Sequence, residues 1–166
     1  MQLCLQGQVK DISNEWLLGK IDYHHDSRFK VIPKSYSTKE NLILHAVALD
    51  SLMKMIDRAK KDGIELKIIS AIRSFSDQKR IWDRKYEERK HRHSHDIDVA
   101  LDILNFSSMP GTSRHHWGTD IDLNSLSPAY FSKGKGKIEY EWLCKNATQF
   151  GFYQPYSSDP NRTGYQ

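Results

Sequence analysis

The run Ser113-Arg-His-His-Trp-Gly-Thr-Asp-Ile-Asp122 sets an imidazole, His115, seven positions before a carboxylate, Asp122, with Gly118 between them. Imidazole nitrogen and carboxylate oxygen are both zinc ligands, and zinc with an open coordination position is a hydrolytic reagent. Thr119-Asp120-Ile121-Asp122-Leu123 alternates polar and apolar residues. As a strand it turns Asp120 and Asp122 to one face and Ile121 and Leu123 to the other. A ligand on a strand, joined by a second from the preceding turn, takes its geometry from the scaffold. His115 and Asp122 are therefore the candidate metal ligands of a zinc hydrolase, which needs a third protein ligand besides them.

A lone histidine is ordinarily structural; the matched carboxylate in strand context is what lifts His115 above that background. His116 is adjacent, points elsewhere in an extended segment, and is read as supporting or structural. Asp120 shares the face of Asp122, so it either orients a ligand from behind or faces solvent. The segment His91-Arg-His93-Ser-His95-Asp-Ile-Asp98 is a rival metal candidate. Arg89, Lys90 and Arg92 beside it disfavour a dication, and an exposed segment is the preferred reading. His24 and His25 sit in a polar turn and read as surface. In Ser70-Ala-Ile-Arg-Ser74, an arginine just past a strand and entering a helix is placed to hold an anion. A structural salt bridge is the other reading of Arg73.

These residues need a scaffold. Phe29-Lys-Val-Ile-Pro33 reads as extended within an otherwise irregular start. Ser37-Thr-Lys-Glu40 has capping-box form, and Leu42, Ala46, Leu49, Met53 and Ile56 recur at helical spacing behind it. Lys60, Lys61 and Gly63 end that helix. Glu65-Leu-Lys-Ile-Ile-Ser70 reads as a strand, and Ser76 as the cap of a helix to about Lys90. Ile97, Ala100, Leu101 and Leu104 suggest a short helix, and Ser107-Ser-Met-Pro-Gly-Thr112 is turn chemistry. Gly134-Lys-Gly136 reads as a mobile loop. Tyr140, Leu143, Cys144 and Ala147 mark a helix ended by Gly151, and Phe152-Tyr-Gln-Pro-Tyr156 a last extended piece. Without a repeated βαβ rhythm, the fold class is α+β, a small mostly antiparallel sheet flanked by helices.

A chain of 166 residues with 38% hydrophobic and 11% aromatic content fits one globular domain. No apolar run approaches the ~20 residues of a membrane span, and residues 1–10 show no signal peptide. The net charge of +4 is compatible with an ordinary surface or with a polyanionic partner such as a cell wall. No nucleic-acid signature accompanies it. Cys4 and Cys144 lack metal spacing. Cys144 is expected as a buried free thiol, a Cys4–Cys144 disulfide being the alternative.

Taken together, the motifs resemble those of a known family. Ser70-Ala-Ile-Arg-Ser-Phe-Ser-Asp-Gln78 is similar to the S-G-Y-R-S-x-x-x-Q segment of vancomycin-resistance-type D-alanyl-D-alanine carboxypeptidases. Ser113-x-His115-x-x-Gly118-x-x-x-Asp122 is similar to their zinc motif. Their motif order and Phe150-Gly-Phe-Tyr-Gln-Pro155 agree, and the likeness runs from about Leu17 onward. The superfamily also holds lysostaphin-type endopeptidases and the hedgehog domain. The resemblance implies a hedgehog/D-Ala-D-Ala peptidase-like fold, one peptidase domain over residues 1–166, and Zn2+ held by His115 and Asp122. It implies that Arg73 binds substrate and stabilises the oxyanion, and that Gln78 and Ser113 line the peptide site. Asp120 stands where the family has a small residue. The family's general-base Glu and third ligand, a His, lie in a late E-x-x-W-H segment. Both are expected beyond Gln166, with the chain a truncated product or its end lost; the alternatives are a site completed by a neighbouring molecule or one left incomplete, and with two ligands alone zinc affinity is expected to fall far below that of a three-ligand site. The implied function is a zinc carboxypeptidase of the cell envelope that removes a terminal D-alanine from peptidoglycan stem peptides, with D,D or L,D specificity left open. The alternatives are a cell-wall endopeptidase of the same superfamily and a non-catalytic cell-wall-binding module.

Overall fold

The computed structural model describes the backbone of residues 2–5 and all of residues 12–156. The elements are β1 (Gln2–Leu5), α1 (Asn14–Leu17), β2 (Phe29–Val31), β3 (Ile43–His45), α2 (Ala46–Lys61) and β4 (Ile68–Ser70). They continue as α3 (Phe75–Arg89), α4 (Asp96–Leu104), β5 (Asp120–Leu123), α5 (Pro128–Phe131), α6 (Gly134–Asn146) and β6 (Phe152–Tyr153). Antiparallel pairing orders one sheet β4-β5-β1-β6, and β2 pairs with β3 in a second. The architecture is the α+β class expected from the sequence.

The core lies between α2 and the larger sheet. Ala48, Leu49, Leu52, Met55, Ile56 and Ala59 form a buried stripe of helical period, packed in one cluster with Ile68, Ile121, Leu123, Leu143 and Phe152. Each such side chain contributes about 1.5–3 kcal/mol on burial. A smaller cluster of Trp16, Tyr23, Phe29 and Ile43 closes the end beneath β2 and β3.

Several boundaries depart from the sequence reading. The helix expected behind Ser37 starts at Ala46, and Ile43–His45 is a strand paired with β2. Ser37 is buried, and its hydroxyl donates to the Lys39 carbonyl at 2.7 Å, so it is spent on a turn instead of capping a helix. The second helix is capped by Ser74, not Ser76: its Oγ accepts from the Asp77 N–H, and Asp77 accepts from the Ser74 N–H. Gly134-Lys-Gly136 is no loop but the first turn of α6. A β-carbon at Gly136 would collide with the Tyr130 carbonyl oxygen, so glycine is what lets α6 seat against α5. Cys144 is a free thiol on the exposed side of α6, not buried.

Candidate functional site

Strand β5 is a central strand, paired with β1 on one side and β4 on the other. Its alternation is as the sequence predicts: Ile121 and Leu123 enter the core, while Asp120 and Asp122 face away from it. That second face is also buried, because arginines cover it. Arg114 Nε donates to Asp120 Oδ2 at 2.8 Å, and Arg73 Nη2 donates to Asp122 Oδ2 at 2.8 Å. The same strand thus carries two buried carboxylates, each against a guanidinium.

His115 arrives on the 3-10 turn Arg114–Trp117, which follows the extended Ser113. Gly118 ends that turn with φ +75°, and a β-carbon there would sit 2.7 Å from the Phe29 ring. Glycine supplies both the left-handed backbone and the space. The reversal folds His115 back over the strand, with Nε2 3.5 Å from Asp122 Oδ2. Two donors at zinc bond lengths of ~2.0–2.1 Å in tetrahedral geometry lie about 3.3 Å apart, so the pair has the spacing that one shared ion requires. The ring is oriented as well: His115 Nδ1 donates to the Ala71 carbonyl at 2.7 Å, which leaves the Nε2 lone pair facing Asp122. Burial, and next the Arg73 guanidinium, push the His115 imidazole below its ordinary range, so it is neutral and able to ligate.

Arg73 is held at the exit of β4. Its Nε donates to Ser70 Oγ at 3.2 Å, Nη1 to Gln78 Oε1 at 3.3 Å, and Nη2 to both Asp122 and His115 Nε2, the latter at 3.0 Å. One cationic nitrogen therefore lies where the imidazole and the carboxylate converge. That is a direct sign that this pair of acceptors suits a positive centre. Gln78 is completely buried behind Arg73; its amide donates to the Ser108 carbonyl at 2.7 Å, so it ties the arginine to the 107–108 segment instead of facing the cleft. Ser113 is buried at the cleft wall. Asp120 braces Arg114, the residue directly before His115.

His116 is structural: its Nδ1 donates to the Arg73 carbonyl at 2.6 Å, and its Nε2 accepts the Gly111 N–H at 3.0 Å. In the rival histidine segment the ligand types do not converge. His91, His95 and Asp98 are exposed, and His93 pairs with Asp102 at 3.2 Å. Among the described residues no three His, Cys, Asp or Glu side chains form a metal site, so His115 and Asp122 stand as a pair.

The pair opens into a cleft of about 330 Å³. Its wall carries Lys39, Arg73, Arg84, Lys85 and Arg114, against the single carboxylate of Asp122 among the described residues. The sequence reading missed Arg84 and Lys85. The signal available was helical spacing: Gln78, Ile81 and Lys85 share one face of α3.

Comparison with known proteins agrees with this geometry. The VanY family, D-alanyl-D-alanine carboxypeptidase, matches residues 41–166. The D-alanyl-D-alanine carboxypeptidase of Enterococcus faecalis is 27% identical over 80% of this chain and 50% of its own length. YodJ of Bacillus subtilis, whose name places it among the carboxypeptidases, is 34% identical over 73% of this chain and 39% of its own. The chain thus spans half or less of the length of these relatives. Among solved structures, a VanY D,D-pentapeptidase in complex with Zn(II) superposes with a TM-score of 0.60 at 26% identity, over 79% of this chain and 74% of that one. The LdcB LD-carboxypeptidase, solved for peptidoglycan recognition, gives a TM-score of 0.64 at 26% identity, over 85% and 63%.

Proposed function

This chain belongs to the VanY family of D-alanyl-D-alanine carboxypeptidases, and on that premise we propose that it is a zinc-dependent peptidase that removes the terminal D-alanine from peptidoglycan stem peptides in the cell envelope. The observation that carries the reading is the 3.5 Å approach of His115 Nε2 to Asp122 Oδ2 beside Arg73. His115 and Asp122 would hold the zinc. A third ligand, a His, and a general base, a Glu, would complete the site, as the family resemblance implies. Among the described residues no helix is long and apolar enough to cross a membrane.

When bound, zinc supplies a Lewis acid and lowers the pKa of water towards ~7. The remaining work falls to this chain's own groups. Asp122 and neutral His115 are preset by the strand and by the Ala71 carbonyl, so no reorganisation is needed to present their lone pairs. In the metal-free chain Arg73 engages four of its five N–H groups with Ser70, Gln78, His115 and Asp122; once the His115 Nε2 lone pair is given to zinc, the Nη2 hydrogen that rests on it is freed. The remaining Nη1 hydrogen can meet the scissile carbonyl oxygen as negative charge develops there, an interaction worth ~2.7–4 kcal/mol per well-placed donor. Gln78 fixes the direction of that donor, and Asp120 holds the turn beneath His115 through Arg114.

The test is a pair of measurements on this chain and on a version extended past Gln166. Zinc content and the products from purified muropeptides are read for each. Stoichiometric zinc in the longer protein and release of free D-alanine support the reading. Internal cleavage of the stem peptide would move it to the endopeptidase class, and absence of zinc from both would overturn it.

A further inference from the structure

Helix α3 is dense in cations, and nearly all of them are paired. Lys79 meets Asp83 at 2.5 Å, Arg80 meets Asp77, Arg84 meets Glu88 at 3.0 Å, and Arg89 meets Asp102 at 3.4 Å. Lys85 is the exception: among the described residues no carboxylate comes within ion-pair distance of its ammonium. It is also partly buried, with its Nζ donating to the Phe106 carbonyl at 3.2 Å. A single carbonyl uses one of its three N–H groups and none of its charge.

A half-buried cation without a counter-ion costs free energy, and its neighbours add to that cost. Burial, and then the guanidinium groups of Arg89, Arg84 and Arg73, push the Lys85 ammonium below the ordinary lysine range. Lys85 is thus close enough to Arg73 to be repelled by it, and both line the cleft that holds His115 and Asp122. The same cleft wall includes Ile81, Phe106 and Leu126, apolar surface against which a methyl side chain can pack. A small residue ending in a carboxylate would place its methyl on that surface, its charge on Lys85 and its preceding carbonyl at Arg73.

We propose that Lys85 is the clamp for the terminal carboxylate of the peptide, the contact that makes the site select chain ends. This rests on the carboxypeptidase reading above. A peptide's side-chain carboxylates share the chemistry, so the test separates them by changing the terminus alone. Binding of N-acetyl-D-alanyl-D-alanine and of its C-terminal amide to this protein is measured by calorimetry, with Lys85→Met and Lys85→Arg alongside. Wild type should bind the acid roughly 10- to 100-fold more tightly than the amide. Lys85→Met should bring the acid down to the level of the amide, and Lys85→Arg should keep the preference. Thermal melting of each variant establishes that it is folded. A wild type that treats acid and amide alike, or a folded Lys85→Met that keeps the preference, overturns the clamp and leaves the carboxypeptidase reading standing. Failure of both peptides to bind wild type overturns the two together.

Discussion

His115 and His116 are neighbours in the chain and nearly equal in burial, at 3% and 0% exposure, yet their rings do different work. Each donates Nδ1–H to a backbone carbonyl, of Ala71 and Arg73 respectively. They differ at the other nitrogen. His116 Nε2 accepts a backbone N–H from Gly111 and is closed on every side by protein. His115 Nε2 faces a carboxylate and a guanidinium at the wall of a cleft. The same side chain in the same turn is thus a strut in one position and a presented lone pair in the next. What decides between them is the partner of one atom, which burial alone does not report.

The comparison breaks most directly by substitution. His115→Ala, or Asp122→Ala, should reduce zinc content to background and release of D-alanine by about 10³-fold or more, some 4 kcal/mol of barrier. His116→Ala should leave zinc bound to whatever fraction remains folded. Metal analysis on the purified, folded variants separates the two. If His116→Ala emptied the site as fully as His115→Ala while still folded, the division of labour would be wrong.

Arg73 sharpens the same point, because its backbone serves one histidine and its side chain the other. Arg73→Ala should lower kcat by roughly 10²–10³-fold with a smaller change in KM, since the contact it supplies is made mainly in the transition state. Zinc should bind at least as tightly to the variant, because a neighbouring guanidinium repels a dication. Steady-state kinetics with a zinc titration checks both parts; loss of zinc would recast Arg73 as a support for the ligands.

Much of this pair was legible before the fold. The alternation of residues 119–123 placed Asp122 on a polar face, and the glycine before it marked the turn that carries His115. The ligand-rich run at 91–98 is set aside in the sequence for its cationic neighbours, and in the fold His93 pairs with Asp102. What was hidden is tertiary. Ser37 looks like a cap until its hydroxyl is seen to donate to the Lys39 carbonyl. Gly134-Lys-Gly136 looks like a loop until Tyr130 is seen to need the space at Gly136. Gln78 was expected to face the peptide, but spacing along a helix does not say which neighbour its amide will meet. Lys85 was invisible because its distinction is the lack of a carboxylate partner among the described residues, and pairing is a property of three dimensions.

His116→Ala also carries a stability cost, since it deletes a buried ring and strands both the Arg73 carbonyl and the Gly111 N–H. Cavity and unsatisfied-group penalties together suggest about 2–5 kcal/mol, a fall in Tm of roughly 5–15 °C for a domain of this size. His115→Ala strands the Ala71 carbonyl and removes the acceptor of one Arg73 Nη2 hydrogen, but that hydrogen lies at the open cleft, where water can replace the ring, so its Tm should fall less. Calorimetry on the metal-free variants ranks them, and the reverse order would contradict the roles given to the two rings.

The smallest effect concerns a third histidine, which tests whether burial alone makes a ring acid-sensitive. His45 stacks on Trp16 with ring centroids 5.9 Å apart and stands at the N-terminus of α2. Burial, and then Arg28, push its imidazole below the ordinary range, with Asp26 opposing. The helix terminus disfavours positive charge in the same sense. Above about pH 6.5 the ring is neutral in both folded and unfolded chains, and its full contribution to stability is present. As the pH falls below that value the unfolded chain takes up a proton that the folded one resists, so acid favours unfolding until the folded-state value is passed. His45→Gln should therefore lose less stability than wild type between pH 7.5 and pH 5, measured by urea unfolding at each pH. Equal losses would mean that His45 is solvated in the folded chain despite its aromatic neighbours, and that the acid response lies with other groups, His115 and His116 among them.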